Sequence, residues 1–225
     1  DVETPAVFGA AYYDITDELT LGVEARYQWD QISERTLVGG GGVPLPNAPL
    51  LEETFKSFSP RITLDYNYAE NSTAYALFSR GFRPGGFNAL LVNESAATIS
   101  AINNAVSGAG LTFAEEKIDN YEIGLKSSWL DGRARTTVAL YYMEWLNGQN
   151  RSLVAVSANG VNNLFGITIN NGLAELQGIE FEGQFQATEN LTVSGSLGYN
   201  DTKLVDSTPA FECSQCNEIT GSLDA

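Results

Sequence analysis

Histidine is absent from this 225-residue sequence, cysteine occurs twice, and 12 lysine and arginine residues face 28 aspartate and glutamate residues. Without histidine, a Ser-His-Asp triad and a His-ligated zinc site are excluded, and two cysteines are too few for a Cys₄ zinc site. A formal net charge of −16 does not suit a protein that binds the phosphate backbone of nucleic acid. We therefore expect no metal centre and no nucleic-acid partner.

Long apolar runs are also missing. No run approaches the roughly 18–20 residues that a membrane-spanning helix needs. The hydrophobic fraction is nevertheless 43%, which is ordinary for a folded protein. Two classes remain: a soluble protein, or a transmembrane β-barrel, whose strands carry a weaker apolar signal than helices do.

Two-residue periodicity dominates the sequence. In residues 21–30 every odd position is apolar, and every even position is glycine, polar or charged. This alternation predicts a strand with two unlike faces. The same pattern recurs in residues 61–68, 120–126, 179–186 and 191–200. Further segments resemble strands without a clear phase, at residues 8–15, 73–82 and 135–145. We predict an all-β protein with eight strands.

Short and long connections alternate between these strands. The short ones carry turn residues and lie at residues 16–18, 69–72, 130–133 and 188–190. The long ones are rich in Gly, Asn, Pro, Ser and Ala and lie at residues 33–57, 83–115, 147–167 and from 203 onward. An antiparallel transmembrane β-barrel has short periplasmic turns at one end and long extracellular loops at the other. The alternation therefore favours an outer-membrane barrel.

Charge and aromatic residues support the same interpretation. The charges on the polar face of the strands could not be buried in a β-sandwich core, but a watered barrel lumen can hold them. We expect one aromatic belt at the edge with the short turns, formed by Tyr12, Tyr13, Tyr66, Tyr68, Tyr75 and Trp129. We expect a second belt at the opposite edge, formed by Tyr27, Trp29, Phe82, Tyr142, Trp145 and Tyr199.

Several segments resemble the barrel of TonB-dependent outer-membrane receptors. The most specific are Arg-Gly-Phe-Arg-Pro-Gly-Gly-Phe-Asn at residues 80–88 and Asn-Tyr-Glu-Ile-Gly-Leu-Lys-Ser at residues 120–127. Weaker matches lie in the same order at residues 59–66, 129–133, 178–182 and 191–201. The resemblance runs over most of residues 6–204.

The resemblance implies a transport receptor of the bacterial outer membrane that is not an enzyme and needs no cofactor. In that family a 22-stranded barrel encloses a plug, and a TonB-type energy-coupling protein pulls on the plug. The cargo is a siderophore complex, cobalamin, haem or an oligosaccharide, and the barrel contacts the lipid bilayer and lipopolysaccharide. This sequence has no recognisable plug, energy-coupling box or terminal strand ending in an aromatic residue. We therefore expect residues 1–225 to be an internal part of one barrel domain, about eight of its 22 strands.

Two other functions are compatible with β-structure. A self-contained eight-stranded outer-membrane barrel acting as an anchor or adhesin matches the strand count but not the family-like segments. A soluble, glycan-binding β-protein requires an apolar interior face, which the alternation contradicts.

Charged residues on the polar face are the first candidate site. They either line a cargo path, or form cross-strand pairs that solvate the wall and contact the plug. These residues are Glu24, Arg26, Arg61, Asp65, Glu122, Lys126, Glu180 and Glu182.

Two further sites lie in the predicted outer loops. Phe82, Arg83 and Asn88 either contact the ligand or belong to a turn in which Gly85 and Gly86 supply positive φ angles. Cys213 and Cys216 form a Cys-x-x-Cys motif without a thioredoxin-like context. In an oxidising exterior we expect them to form a loop disulfide.

Overall fold

The computed structural model describes residues 1–36, 44, 47–158 and 161–206. Its strands are β1 (Val2–Glu3), β2 (Ala6–Asp14), β3 (Leu19–Glu34), β4 (Leu51–Ala69), β5 (Ser72–Arg83), β6 (Gly86–Phe87), β7 (Thr112–Phe113), β8 (Glu116–Trp129), β9 (Ala134–Ala158), β10 (Val161–Thr188) and β11 (Leu191–Asp206). A 3₁₀ turn, Ala89–Leu91, and one α-helix, α1 (Ala96–Ala105), lie between β6 and β7.

One antiparallel sheet contains all strands except the small β6–β7 pair. The order is β3-β4-β5-β8-β9-β10-β11, and β1 and β2 both pair with β3. Because β1 and β2 lie end to end, eight strands stand side by side, as predicted. Among the described residues, the edge strands do not pair with each other. The sheet is therefore an open wall, as expected for part of a larger barrel.

The two faces of this wall differ as the alternation predicts. Val23 pairs with Ile62, and Ile62 pairs with Phe78, so one face carries a continuous apolar band. Large apolar side chains of this band are exposed: Ile123 is 57% exposed and Leu197 is 75% exposed. Such a large exposed apolar surface indicates contact with lipid. The opposite, charged face is the lumen face.

The register resolves the three segments whose phase the sequence leaves open. Tyr12 lies opposite Gly22, and Tyr75 lies opposite Gly124, so both tyrosines are on the lumen face. Trp145 lies five residues after the outward-facing Leu140 and is also on the lumen face. The belt prediction is therefore wrong for these three aromatic residues. These segments carry small or apolar residues on both faces, so the sequence pattern does not show which face each residue occupies.

Short turns connect the strands at the predicted periplasmic edge. They join β2 to β3, β4 to β5, β8 to β9 and β10 to β11. In the turn after Trp129, Leu130 and Asp131 have φ of 54° and 55°, and Gly132 has φ of 85°. Glycine is the residue that adopts this last conformation without strain. The predicted positions of the short turns are confirmed.

The long connections contain more regular structure than predicted. Most of the predicted loop 147–167 is not open, because β9 continues to Ala158 and pairs with β10 from Val161 onward as a long two-stranded ribbon. Residues 83–115 contain α1, and β4 begins at Leu51, inside the predicted loop 33–57. Within the described ranges, no helix has both the length and the apolar character needed to cross a membrane.

Candidate functional site

A folded subdomain stands at the extracellular end of the wall. It consists of residues 84–115, which we call the clasp, and the ribbon formed by the outer halves of β9 and β10. The clasp packs α1 and the 3₁₀ turn against the ribbon. Their shared core is formed by Leu91, Ile102, Val106, Ala109, Val154, Val156, Ile167 and Ile169. The side chain of Ser95 caps α1 by accepting a hydrogen bond from Thr98 N at 3.1 Å.

Asn88 fixes the clasp to the ribbon. Its Nδ2 donates to the carbonyl oxygens of Gly110 and Thr168, each at 2.8 Å. Its Oδ1 accepts from Thr168 N at 2.6 Å, and its backbone N donates to Leu111 O at 2.7 Å. The side chain thus forms the two hydrogen bonds with Thr168 of β10 that the backbone of a neighbouring strand would form. Pairing between β10 and β11 ends at Leu173, so the Asn88 side chain takes the place of β11 further along β10. The residue is 7% exposed.

Two further side-chain amides hold the ends of the clasp. Gln149 Nε2 donates to Pro84 O at 2.7 Å and to Ala114 O at 3.0 Å. Asn170 Nδ2 also donates to Ala114 O, and its Oδ1 accepts from Ala114 N at 2.7 Å. Each amide satisfies backbone groups that the loop cannot pair within itself. The clasp is therefore anchored at its start, middle and end.

Arg83 lies at the entrance to the clasp. This exposed side chain forms an ion pair of 3.4 Å with Glu116, which is 8% exposed. The other carboxylate oxygen of Glu116 accepts from Gln149 N at 2.5 Å. Partial burial raises the pKa of the neighbouring Glu115, and the charge of Lys117 opposes that rise. The ion pair therefore joins the outer ends of β5 and β8, directly beneath the clasp.

Gly85 and Gly86 are needed for space and not for positive φ. Neither is among the described residues with a positive φ, so that part of the turn prediction is wrong. A Cβ at Gly85 would overlap Phe113 O and would lie 2.5 Å from the ring of Phe55. A Cβ at Gly86 would lie 2.7 Å from the Phe113 ring. These glycines let the backbone pass closely under aromatic side chains, next to the half-buried Phe82.

On the lumen face, charges pair across strands. Arg61 on β4 approaches Glu24 on β3 at 3.3 Å, and Tyr12 on β2 donates to Glu24 at 2.8 Å. Higher on β3, Arg26 Nε donates to Gln28, whose Nε2 donates to Asp30 at 2.8 Å. Three of the predicted lumen residues therefore take part in hydrogen bonds within the wall.

Tyr75 links two other predicted lumen residues. Its hydroxyl donates to Glu122 at 2.6 Å, and Lys126 Nζ lies 4.7 Å from its ring centroid. The ring occupies the space over Gly124, where a Cβ would lie 2.5 Å from its Cζ. The remaining predicted charges share this face by register, at Asp65, Glu180 and Glu182.

Sequence reasoning missed an ion pair on the outward face. Arg80 binds Asp119 through two hydrogen bonds, Nε to Oδ1 at 2.5 Å and Nη2 to Oδ2 at 2.7 Å. Asp119 is 5% exposed. The pair lies next to an aromatic cluster in which the Phe78 and Tyr121 rings are 5.1 Å apart. Predicting this pair requires knowing that Arg80 and Asp119 lie on the same face of the sheet. The sequence does not show which face the residues of β5 occupy, so the pair could not be predicted.

A family comparison identifies the wall. Residues 1–215 match the model of the "TonB dependent receptor-like, beta-barrel" family. The chain belongs to the TonB-dependent receptor family. It is therefore a β-barrel wall of the bacterial outer membrane, as the resemblance implies. Cys213 and Cys216 lie outside the described residues, so their disulfide stays a prediction.

Relatives of this receptor chain are considerably longer. It is 26% identical to the metal-pseudopaline receptor CntO of Pseudomonas aeruginosa over 153 residues, which are 68% of this chain and 18% of that protein. The ferric yersiniabactin uptake receptor FyuA of Yersinia pestis matches with a TM-score of 0.64 and 17% identity, over 92% of this chain and 28% of that one. The alcaligin receptor FauA of Bordetella pertussis matches with a TM-score of 0.59 and 20% identity, over 90% of this chain and 30% of that one. The receptor chain thus spans less than a third of each.

Proposed function

We propose that residues 1–225 form part of one barrel domain in an active-transport receptor that imports a small cargo and catalyses no reaction. A metal chelate is the favoured cargo class, because two relatives are named for metal-pseudopaline and ferric yersiniabactin. Cobalamin, haem or an oligosaccharide are the alternatives within this function.

The observation that carries this proposal is that one chain combines a wall with one apolar and one charged face and a folded subdomain at the outer end of that wall. The apolar face suits the lipid bilayer and lipopolysaccharide, and the lumen face carries paired charges such as Glu24 and Arg61. The clasp, fixed by Asn88 and a buried core, gives the outer rim a defined shape. A rigid rim can select a cargo without first losing conformational entropy.

In the proposed transport cycle, the outer subdomain and the apex of the plug capture cargo. A TonB-type energy-coupling protein then remodels the plug and opens a path along the lumen. The charges of the lumen face contact the plug and solvate this path, because their paired arrangement leaves lone pairs and protons available to water. Arg83, near the clasp entrance, is the proposed contact to cargo, since Phe82 lies on the outward face with Arg80.

The test is uptake by intact cells that produce the full-length receptor or lack it. Cells are grown under metal limitation and given ⁵⁵Fe or ⁶⁴Cu in spent medium, and ⁵⁷Co-cobalamin in parallel. We expect receptor-dependent accumulation of one metal label, abolished by a protonophore. Equal accumulation of every label with and without the receptor would contradict the proposal. Receptor-dependent accumulation that survives the protonophore would indicate a passive pore instead.

A further inference from the structure

A cavity of about 340 Å³ lies between the clasp, the ribbon and the upper end of β3. Its walls include Phe87, Leu90 and Glu34, and its floor on the ribbon is formed by Arg151, Gly166 and Thr168. A volume of this size suits a small organic group. Thr36, two residues after the end of β3, donates to Ala89 O at 3.0 Å and thereby joins this segment to the clasp beside the cavity.

Arg151 has no acidic partner among the residues that the structure describes. Within the described part of the chain it forms no ion pair within 4.0 Å, although carboxylates outnumber cations 28 to 12 in the sequence. Its Nη2 lies 3.4 Å from the position that a Cβ at Gly166 would occupy. The guanidinium therefore rests over the bare backbone of Gly166; a lone Cβ there would only touch it, and a branched side chain such as valine would crowd it. An unpaired guanidinium on a cavity floor is suited to binding a carboxylate by paired hydrogen bonds.

Exposed apolar side chains lie near this cation, on the same face of the ribbon and on the clasp. Leu153 pairs with Gly166, and Leu164 follows on the same face of the ribbon. Leu153 is 72% exposed, Leu164 is 63% exposed, and Leu90 on the clasp is 47% exposed. Exposed apolar residues grouped around a charge mark a binding surface for an amphipathic molecule.

We propose that this cavity binds an organic anion through a carboxylate at Arg151 and an aliphatic body against Phe87 and Leu90. The inference deepens the proposed uptake function and rests on it for its biological role. A cargo that carries such a group would be held at the outer rim by this arginine. Glu34, on the opposite wall, would disfavour a second carboxylate at that end of the cavity.

The test uses purified full-length receptor and the arginine reagent phenylglyoxal. Modification rates of Arg151 and of Arg35 are measured by peptide mass mapping, with hexanoate, with hexanol or without additive. Arg35 is the control because it is exposed in the same region but does not line the cavity. We expect hexanoate at ten times its dissociation constant to slow modification of Arg151 by about tenfold. Hexanol, which lacks the carboxylate, should not slow it, and Arg35 should be unaffected.

Protection of Arg151 by hexanoate alone, lost in Gly166→Val, would support the inference. Heat-modifiable migration on a gel verifies that the Gly166→Val barrel is folded. Equal effects of hexanoate and hexanol, or equal protection of Arg35, would overturn it. No transport occurs in this assay. If the receptor imports cargo but hexanoate does not protect Arg151, this inference alone is refuted. If hexanoate protects Arg151 but the receptor imports no cargo, only the proposed function is refuted.

Discussion

Replacing Asn88 with aspartate should release the clasp from the ribbon. The substitution keeps the shape of the side chain but removes the Nδ2 donor, which now bonds Gly110 O and Thr168 O at 2.8 Å each. Each lost hydrogen bond costs about 1 kcal/mol, and a buried carboxylate facing two carbonyl oxygens adds about 1 kcal/mol. The expected loss is about 3 kcal/mol in the free energy of clasp opening. Because 1.4 kcal/mol corresponds to a tenfold change, the open population should rise about 100-fold.

Hydrogen exchange of the full-length receptor in outer-membrane vesicles measures this change. Peptides covering α1 and residues 106–111 should exchange about 100-fold faster in Asn88→Asp, while peptides from β3 and β4 should not change. Asn93→Asp is the matched control, since Asn93 is exposed on the same loop and the substitution adds the same charge. Equal exchange in the two variants would refute the conclusion that Asn88 fixes the clasp.

Three further predictions concern the wall, and all are measured as the temperature at which the full-length barrel loses its heat-modifiable gel migration. Gly124→Ala should lower stability by about 1–3 kcal/mol, because its Cβ would overlap the ring of Tyr75. Gly81→Ala is the control and should cost less than about 1 kcal/mol, because nothing lies within 4 Å of its Cβ. Arg80→Gln should cost about 2 kcal/mol by leaving the buried carboxylate of Asp119 unpaired, and adding Asp119→Asn should restore most of that loss. Glu24→Gln should cost less than about 1 kcal/mol, since its ion pair is partly exposed to solvent. The steric explanation is contradicted if the melting temperature falls as far in Gly81→Ala as in Gly124→Ala. The explanation for the buried ion pair is contradicted if Asp119→Asn does not restore the stability lost in Arg80→Gln. The explanation for the exposed ion pair is contradicted if Glu24→Gln loses as much stability as Arg80→Gln.

The strands with one apolar and one polar face could be predicted from sequence because lipid and water select opposite residue types. Residues 21–30 show this most clearly, and β3 includes them with the expected faces. The short turns could be predicted for a similar reason, since Asp131 and Gly132 suit the left-handed backbone found there.

The outer subdomain could not be predicted in the same way. In the ribbon, Val154 and Val156 are buried by the clasp, while Leu153, directly before Val154, is exposed on the other face. Apolar residues on both faces erase the two-residue period, so residues 147–167 resembled a loop. The sequence marks Asn88 only as a candidate ligand contact. Its bonds to Thr168 span 80 residues of sequence, and such contacts leave no local signal.

The native mass of the polypeptide in outer-membrane fractions tests the central claim most directly. Scaling 24.3 kDa from eight strands to the 22 of a plugged transporter gives about 67 kDa for the barrel before a plug is added. A denaturing gel with peptide mapping should show a band above that mass, with peptides that flank this sequence on both sides. A band near 24 kDa would contradict the account and favour a small closed barrel that serves as an anchor or adhesin.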